Sequence, residues 1–275
     1  MCIRDRDKRV AIHEKSSFYD LNGFLNGNNS LTEIEQTELG DVSGKRLLHL
    51  QCHFGMDTLS LSRLGADCVG IDFSREAILK ARSLNEQLKL NGSFYESNVL
   101  DVLDLGLGLF DIVFTSYGTI CWLPDLDQWA YVIAKSLHKN GMFYFADFHP
   151  LLYLFDFNSK EIRYSYYNLR KPYTEIETGS YAEVNDPSTF KSHFWSHSID
   201  EIIGVLLKNK LEIKQLNEID YSPYNCFPNL NPIGKNRFRF ELEHTSLPHV
   251  LLILSLIHIS EPTRRTPISY AVFCL

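Results

Sequence analysis

Short apolar runs alternate with stretches of helical period from Leu47 to Asp147. Leu47 to Leu50 is apolar, Gln51 to Gly55 is a turn that closes on a glycine, and Asp57 to Leu64 has helical spacing, with Leu61 and Leu64 three apart and Gly65 as its stop. Cys68 to Ile71 is a second apolar run that ends in Asp72. Ser74 caps a helix that runs to about Leu88, on which Ile78, Ala81 and Leu84 or Leu88 share a face. Asn91-Gly92 turns the chain into a strand at Phe94 to Ser97. FDIVFTS at 110–116 is almost wholly apolar, as in a strand covered by helices on both faces. Leu126 to Leu137 is a helix, and Asn140-Gly141 leads into the buried strand MFYFAD, 142–147. Strands alternating with helices of these lengths predict a parallel sheet with right-handed crossovers.

The flanks differ. Asp7 to Asn29 is polar with scattered aromatics (Phe18, Tyr19, Phe24), and Ser30 precedes a capped helix, LTEIEQTEL. Leu151 to Trp195 is crowded with tyrosine and phenylalanine, lacks helical periodicity and predicts a β-rich insertion or cap. Ser198 caps a helix, IDEIIGVLLKN; Leu211 to Tyr221 is a strand; 224–236 is a loop; Arg237 to Leu242 and Val250 to Ile253 are closing strands. The expected organisation is a core over 7–150 that includes an N-terminal lid, a cap over 151–197, and completion of the core sheet over 198–253.

The two ends, 1–6 and 254–275, read as translated adapter DNA. MCIRDR can be encoded ATG TGT ATA AGA GAC AG, and the reverse complement of that DNA encodes LSLIHI, which is Leu254 to Ile259. Both resemble in-frame sequencing-library adapters, and the segments ISEPTRR and ISYAVFCL continue the resemblance. Setting the ends aside takes the count from 27 to 23 basic and from 34 to 32 acidic residues, a net charge of −9 rather than −7. That balance argues against bulk binding to nucleic acid, which needs a basic face. The run LPHVLLILSLIHI is too short to span a membrane. Cys52, Cys68, Cys121 and Cys226 show no disulfide or CxxC spacing and predict reduced, cytoplasmic thiols.

A first strand-to-helix turn brings backbone N–H groups close to a ligand, and an acid after the next strand can accept both hydroxyls of a ribose. The turn at 51–55 followed by Asp72 therefore predicts a nucleoside-containing ligand. Together with FDIVFTSYG at 110–118, WLPDL at 122–126 and HKNGMFYFADFHP at 138–150, this stretch resembles the class I S-adenosylmethionine-dependent methyltransferases, and uncharacterised bacterial members with the HLQCHFG turn most of all. The resemblance covers most of 7–253. It implies an α/β, Rossmann-like, doubly wound, mostly parallel seven-stranded sheet, with the β-rich cap inserted after the fifth strand.

The resemblance also implies cofactor roles. Asp72 would accept the ribose hydroxyls, and Phe73 and Ser74 would lie beside the adenine. Asn98 and Val99 would face the adenine amino group. Leu50, Gln51, Cys52, His53 and Gly55 would lie along the methionine portion, and Ser116 and Tyr117 at the methyl-donor end. The family's acid-x-Gly-x-Gly-x-Gly turn is represented here by His49, Gln51, His53 and Gly55, so only the last glycine remains. Gln51 and His53 either bond the cofactor carboxylate or fill the turn.

Methyl transfer needs a general base only when the nucleophile arrives protonated. His149, His193 and His197 are the histidine candidates, each with a structural role as its alternative. The aromatic cap is either a surface for a cationic or planar acceptor or the core of the insertion. Cys52 and His53 are adjacent and lack a second ligand pair, so no metal is expected. The expected function is methyl transfer from S-adenosylmethionine to a small-molecule acceptor, with no nucleic-acid or membrane partner; nothing in the pattern sets an oligomeric state. A non-catalytic binder with the same fold is the alternative, and a nicotinamide dehydrogenase would need the glycines this turn lacks.

Overall fold

A computed structural model describes residues 3–242 and 245–257. In chain order, helices α1 (Ile3–His13), α2 (Leu21–Leu25) and α3 (Glu33–Glu38) lead into strand β1 (Arg46–Leu50), α4 (Met56–Arg63), β2 (Asp67–Asp72), α5 (Arg75–Leu88) and β3 (Ser93–Glu96). The chain continues through β4 (Phe110–Thr115), α6 (Leu126–Ser136) and β5 (Leu137–Phe148). Four short strands follow, β6 (Phe155–Asp156), β7 (Glu161–Ile162), β8 (Tyr173–Thr178) and β9 (Thr189–Phe194). It ends with α7 (Ile199–Lys208), β10 (Leu211–Ile219), β11 (Leu230–Gly234), β12 (Arg237–Phe240) and β13 (Val250–Ile257).

One seven-stranded sheet runs β10-β13-β5-β4-β1-β2-β3. The five strands from β5 to β3 are parallel, whereas β13 runs antiparallel to both β5 and β10. Alternate residues of each strand enter opposite cores. Leu48, Leu50, Val113, Phe143 and Phe145 pack with Trp129, Ile133 and Leu206 of α6 and α7. Leu47, Ile112, Phe114, Tyr144 and Ala146 pack with Ile34 of α3 and Leu61 of α4. The expected fold class, a doubly wound sheet with extra β elements after β5, is the one observed. Helix starts follow the expected caps, with Ser74 accepting from Ala77 N and Ser198 from Glu201 N.

Three local expectations change. The helix after Ser30 is capped by Thr32, which forms a capping box with Glu35, while the Ser30 hydroxyl bonds Asp57 and Ser60. Residues 7–29, polar with scattered aromatics, contribute most of α1 and all of α2. Arg237 to Leu242 does not close the core sheet: β12 pairs with β11, inside the expected loop, as a separate hairpin. Leu230, Phe238 and Phe240 turn toward Phe155 and Phe227, so this hairpin has its own small core. The adapter-like boundaries are not structural ones, since α1 crosses 6/7 and β13 continues through Leu254–Ile257 against β5 and β10. Residues 258–275 of the expected C-terminal tail, like Met1 and Cys2, lie outside the described residues.

Phe94 of β3 sets the packing beneath the first turn. A Cβ at Gly70 would stand 2.7 Å from its ring, and one at Gly55 would also stand 2.7 Å from it. Gly70→Ala should destabilise the fold by about 1–3 kcal/mol through overpacking, and Phe94→Leu should recover part of that loss. Chemical denaturation of the two single variants and the double variant measures the coupling.

Candidate active site

The sheet order reverses between β1 and β4, the place where open α/β sheets bind ligands beyond their carboxyl ends. There a cavity of about 1640 Å³ opens between the turn at Gln51–Gly55, the loop at Ser116–Thr119, α1, the β8–β9 hairpin and the loop at 224–230. Pockets for one small ligand run to roughly 300–1,000 Å³, so this volume accommodates two.

The turn after β1 works without most of its expected glycines. Gln51 at φ 59° and His53 at φ 51° adopt the left-handed conformation themselves, and Gly55 sits at φ 80°. Cys52 N donates to Ile71 O at 2.8 Å, and His53 N to Asp72 Oδ2 at 2.9 Å. Gln51 Nε2 reaches across the crevice to Thr119 O at 3.0 Å, leaving its Oε1 without a partner. His49, where the family pattern has an acid, bonds Thr58 Oγ1 through Nδ1 at 2.8 Å, and its Nε2 has no partner. Burial pushes its pKa down to about 3, so the ring is neutral.

Asp72 is buried at the end of β2. Its Oδ1 accepts from Ser74 N at 2.9 Å, and its Oδ2 is shared by His53 N and by Arg6 Nη2 at 3.3 Å. The Arg6 guanidinium also lies 5.5 Å from the Phe73 ring centroid. Arg6, inside the adapter-like segment, thus covers both Asp72 and Phe73, the expected ribose acid and adenine platform.

Asp147, at the end of β5, holds the opposite wall. Its fully buried carboxylate accepts from Gly118 N at 2.5 Å, Thr119 N at 3.0 Å, Thr119 Oγ1 at 2.8 Å, Ile120 N at 3.1 Å and Phe148 N at 2.7 Å. Burial pushes its pKa up, while the five donors on its two oxygens favour the ionised form and pull it down. Sequence reasoning passed over Asp147, although the signal that singled out Asp72, an acid closing an apolar strand, is present in MFYFAD.

A roof joins α1 to the cap. Arg9 bonds Glu177 Oε2 at 2.8 Å and Ser192 Oγ at 3.3 Å, and lies 4.5 Å from the Phe190 ring centroid. The Tyr19 and Tyr181 hydroxyls meet at 2.5 Å. His13 Nε2 lies 2.6 Å from Ser180 Oγ, and its Nδ1 lies 3.2 Å from His53 Nε2. Burial and the neighbouring His53, Arg9 and Arg6 push His13 down to about 2; burial and Arg6 hold His53 well below its ordinary value. Both rings are neutral, and one proton bridges them.

The expected site residues divide. Gln51, Cys52, His53, Gly55, Ser116 and Tyr117 line the cavity. Leu50 lies in the core, and Ser74 is spent on capping α5 and bonding Asp7. Val99 packs in the core, and exposed Asn98 caps a 3-10 turn by accepting from Leu100 N. The three histidine candidates stand outside the cavity wall. His149 is bonded to Glu218 and Leu151 N, His193 to Thr174 and His197 to Glu201 and Leu123 O. The cavity histidines are instead His13, His49 and the expected His53, joined by Asp57; of these, His13, His49 and Asp57 were missed as site groups. Among the described residues no His/Cys/Asp/Glu group could hold a metal, and no helix is long and apolar enough to cross a membrane.

Comparison with known proteins gives a matching account of the central segment. A family model described as a methyltransferase domain matches residues 48–143. Magnesium-protoporphyrin O-methyltransferase of Rhodobacter capsulatus is 32% identical over 105 residues, 38% of this chain and 46% of the relative. Ubiquinone biosynthesis O-methyltransferase of Alkalilimnicola ehrlichii is 27% identical over 119 residues, 42% of this chain and 48% of the relative. The chain thus spans about half the length of the curated relatives it matches. The crystal structure of a putative S-adenosylmethionine-dependent methyltransferase from Listeria monocytogenes superposes with a TM-score of 0.56 at 17% identity, covering 82% of this chain and 96% of that one. Residues 48–143 thus match a methyltransferase domain, and the fold of the chain is similar to that of the solved S-adenosylmethionine-dependent methyltransferase.

Asp147→Asn sets an amide NH₂ against backbone donors and should cost about 2–4 kcal/mol, because buried N–H groups lose their acceptor. Urea denaturation reads the loss, and Asp147→Glu should not restore the stability, since the longer arm displaces the 118–120 backbone.

Proposed function

We propose that this chain transfers a methyl group from S-adenosylmethionine to a small-molecule acceptor. The observation that carries the reading is the buried Asp72 carboxylate closing β2 beside the turn after β1, at the point where the sheet order reverses. The residues present fit the donor. Asp72 and Phe73 lie outside the cavity lining and beneath Arg6, so Asp72 would meet ribose hydroxyls once Arg6 moves aside; Phe73 presents a partly exposed ring, and Gln51 Oε1 and His49 Nε2 are polar atoms without partners at the cavity wall. When bound, S-adenosylmethionine supplies a methyl group on a sulfonium that leaves as a neutral thioether while the acceptor's nucleophile forms the new bond to carbon.

The chain's part is alignment. The turn at 51–55 and the loop at 116–119, tied together through Gln51 and Asp147, hold the two walls of the crevice in fixed relation. Fixed placement of two reactants contributes roughly 7–11 kcal/mol to such displacements. The roof of α1 and the β8–β9 hairpin lines the second half of the cavity, the part left for the acceptor. The two relatives are named as O-methyltransferases of a porphyrin and of ubiquinone biosynthesis, which supports an organic small molecule rather than a macromolecule. Among the described residues, the four cysteines are unpaired, which fits a reducing, cytoplasmic setting.

A second reading, a binder that keeps the fold without turnover, is favoured by the Arg6–Asp72 contact, which closes the ribose acid. The two readings separate in a metabolite-pool methylation screen with labelled donor: transfer of label supports the first, and saturable donor binding with no labelled product supports the second. Two binding results are expected by calorimetry with S-adenosylmethionine and its demethylated product. Asp72→Ala should weaken both by roughly 30-fold or more, from the loss of charge-assisted bonds worth about 2 kcal/mol or more. Arg6→Ala should tighten both, by roughly tenfold, because the ligand no longer displaces a guanidinium worth about 1–2 kcal/mol.

A further inference from the structure

We propose that the methyl acceptor carries a cationic nitrogen, seated between Asp57 and the aromatic wall of the cavity; this rests on the methyltransferase reading above. Asp57 lines the cavity at the start of α4. Its Oδ1 takes a bond from the Ser30 hydroxyl at 2.7 Å, and its Oδ2 takes none from the described residues. The other cavity carboxylates are engaged. Glu177 is paired with Arg9, Asp156 and Glu175 with Arg163, and Asp20 accepts from Gly23 N and the Asn28 amide. No arginine or lysine among the described residues stands within ion-pair distance of Asp57. Asp147 shows what a structural carboxylate looks like in this fold, with five donors on two oxygens; Asp57 has one donor and an open oxygen.

The surroundings suit a cation. Rings run without a break along this wall, with centroids 5.1 Å apart for Phe18 and Tyr19, 5.6 Å for Phe18 and Tyr224, 5.1 Å for Tyr224 and Tyr117, and 5.6 Å for Tyr117 and Phe148. Asp57 and Tyr224 line the same cavity, where burial and the charge of Asp57 push the Tyr224 phenol well above its ordinary value. Ring faces attract ammonium groups, and a carboxylate among them adds a counter-charge. Behind Asp57, buried Glu35 holds a second carboxyl with Oε1 unpartnered. An anionic acceptor would be repelled here, and a neutral one would leave Asp57 uncompensated.

Burial and Glu35 push Asp57 up to about 7. Its cation affinity therefore grows as pH rises through 7 and fades below it. The groups that face it are Glu35 of α3, Ser30, Tyr19, Tyr224 and Tyr144 of β5; the tyrosines are all raised and stay neutral, and Glu35, raised by burial, shifts in the same direction.

The test uses the full chain, titrated first with S-adenosylhomocysteine and then, saturated with it, with benzylamine, benzyl alcohol and benzoate. Benzylamine should bind at least tenfold more tightly than the alcohol, with benzoate weaker still, and its affinity should rise from pH 6 to pH 8. Asp57→Asn, which keeps the bond to Ser30, should abolish the preference for the amine while leaving S-adenosylhomocysteine affinity within threefold. Tyr224→Leu should weaken benzylamine more than benzyl alcohol. Equal binding of amine and alcohol, or no binding of any of the three, overturns the proposal. So does an Asp57→Asn variant that weakens S-adenosylhomocysteine as much as benzylamine, since the acid would then serve the donor's own ammonium. Failure of S-adenosylhomocysteine to bind the wild type counts against the methyltransferase reading alone, and the amine-to-alcohol ratio on the ligand-free chain still decides the role of Asp57.

Discussion

The buried carboxylate of Asp147 is the interaction on which the crevice depends. Strand ends in a parallel sheet leave backbone N–H groups pointing past the last rung, and at β4 those of Gly118, Thr119 and Ile120 have no neighbouring strand to pair with. Asp147 takes all three from β5, the adjacent strand, and adds the Thr119 hydroxyl. The loop after β4 is thereby bound to the sheet rather than to solvent. Gln51 then bonds Thr119 O from the other side, so the walls of the crevice lock to each other through one residue pair. A single buried charge is stable there only because each of its oxygens is supplied with donors.

The opposite wall solves a related problem with different residues. A turn that would use glycines to reach left-handed conformations uses Gln51 and His53 instead, at the strain that non-glycine residues carry there. Backbone bonds from Cys52 N to Ile71 O and from His53 N to Asp72 hold the strained conformations in place. The glycine that remains, Gly55, is needed both for its positive φ and for the Phe94 ring pressed against it from β3. His53 in return gains a side chain that reaches the roof, where it meets His13 and stacks on Tyr19 at 5.5 Å. Replacing glycine by histidine thus connects the cofactor turn to the N-terminal helix and, through Ser180, to the cap.

Most of the core was legible because its signals are local. An apolar run covered on both faces, a serine or aspartate one residue before a helical stretch, and an acid closing a strand each depend on a few neighbouring residues. The elements that were misread depend on remote partners. Arg237 to Leu242 has the composition of a strand, but only its pairing with 230–234 decides that it leaves the core sheet. Ser30 and Thr32 are both good caps, and the choice falls to Thr32 because Asp57 and Ser60, distant in sequence, take the Ser30 hydroxyl. His149, His193 and His197 sit near strand ends, as catalytic histidines do. Each is instead drawn to a structural partner, of which Glu218 and Leu123 are some 70 residues away.

The sequence by itself determined the order of strands and helices, the class of the sheet and the place of Asp72 at the end of β2, because these follow from periodicity, capping and the position of a charge at a strand end. Tertiary structure alone decided which polar groups face the cavity. Hydrogen-bond satisfaction is a property of the assembled whole: Asp147 and Asp57 are both aspartates beside apolar runs, yet one is saturated by backbone donors and the other left with an open oxygen. Which of the two can bind a ligand follows from packing across the fold, and that information is distributed over residues no local pattern connects.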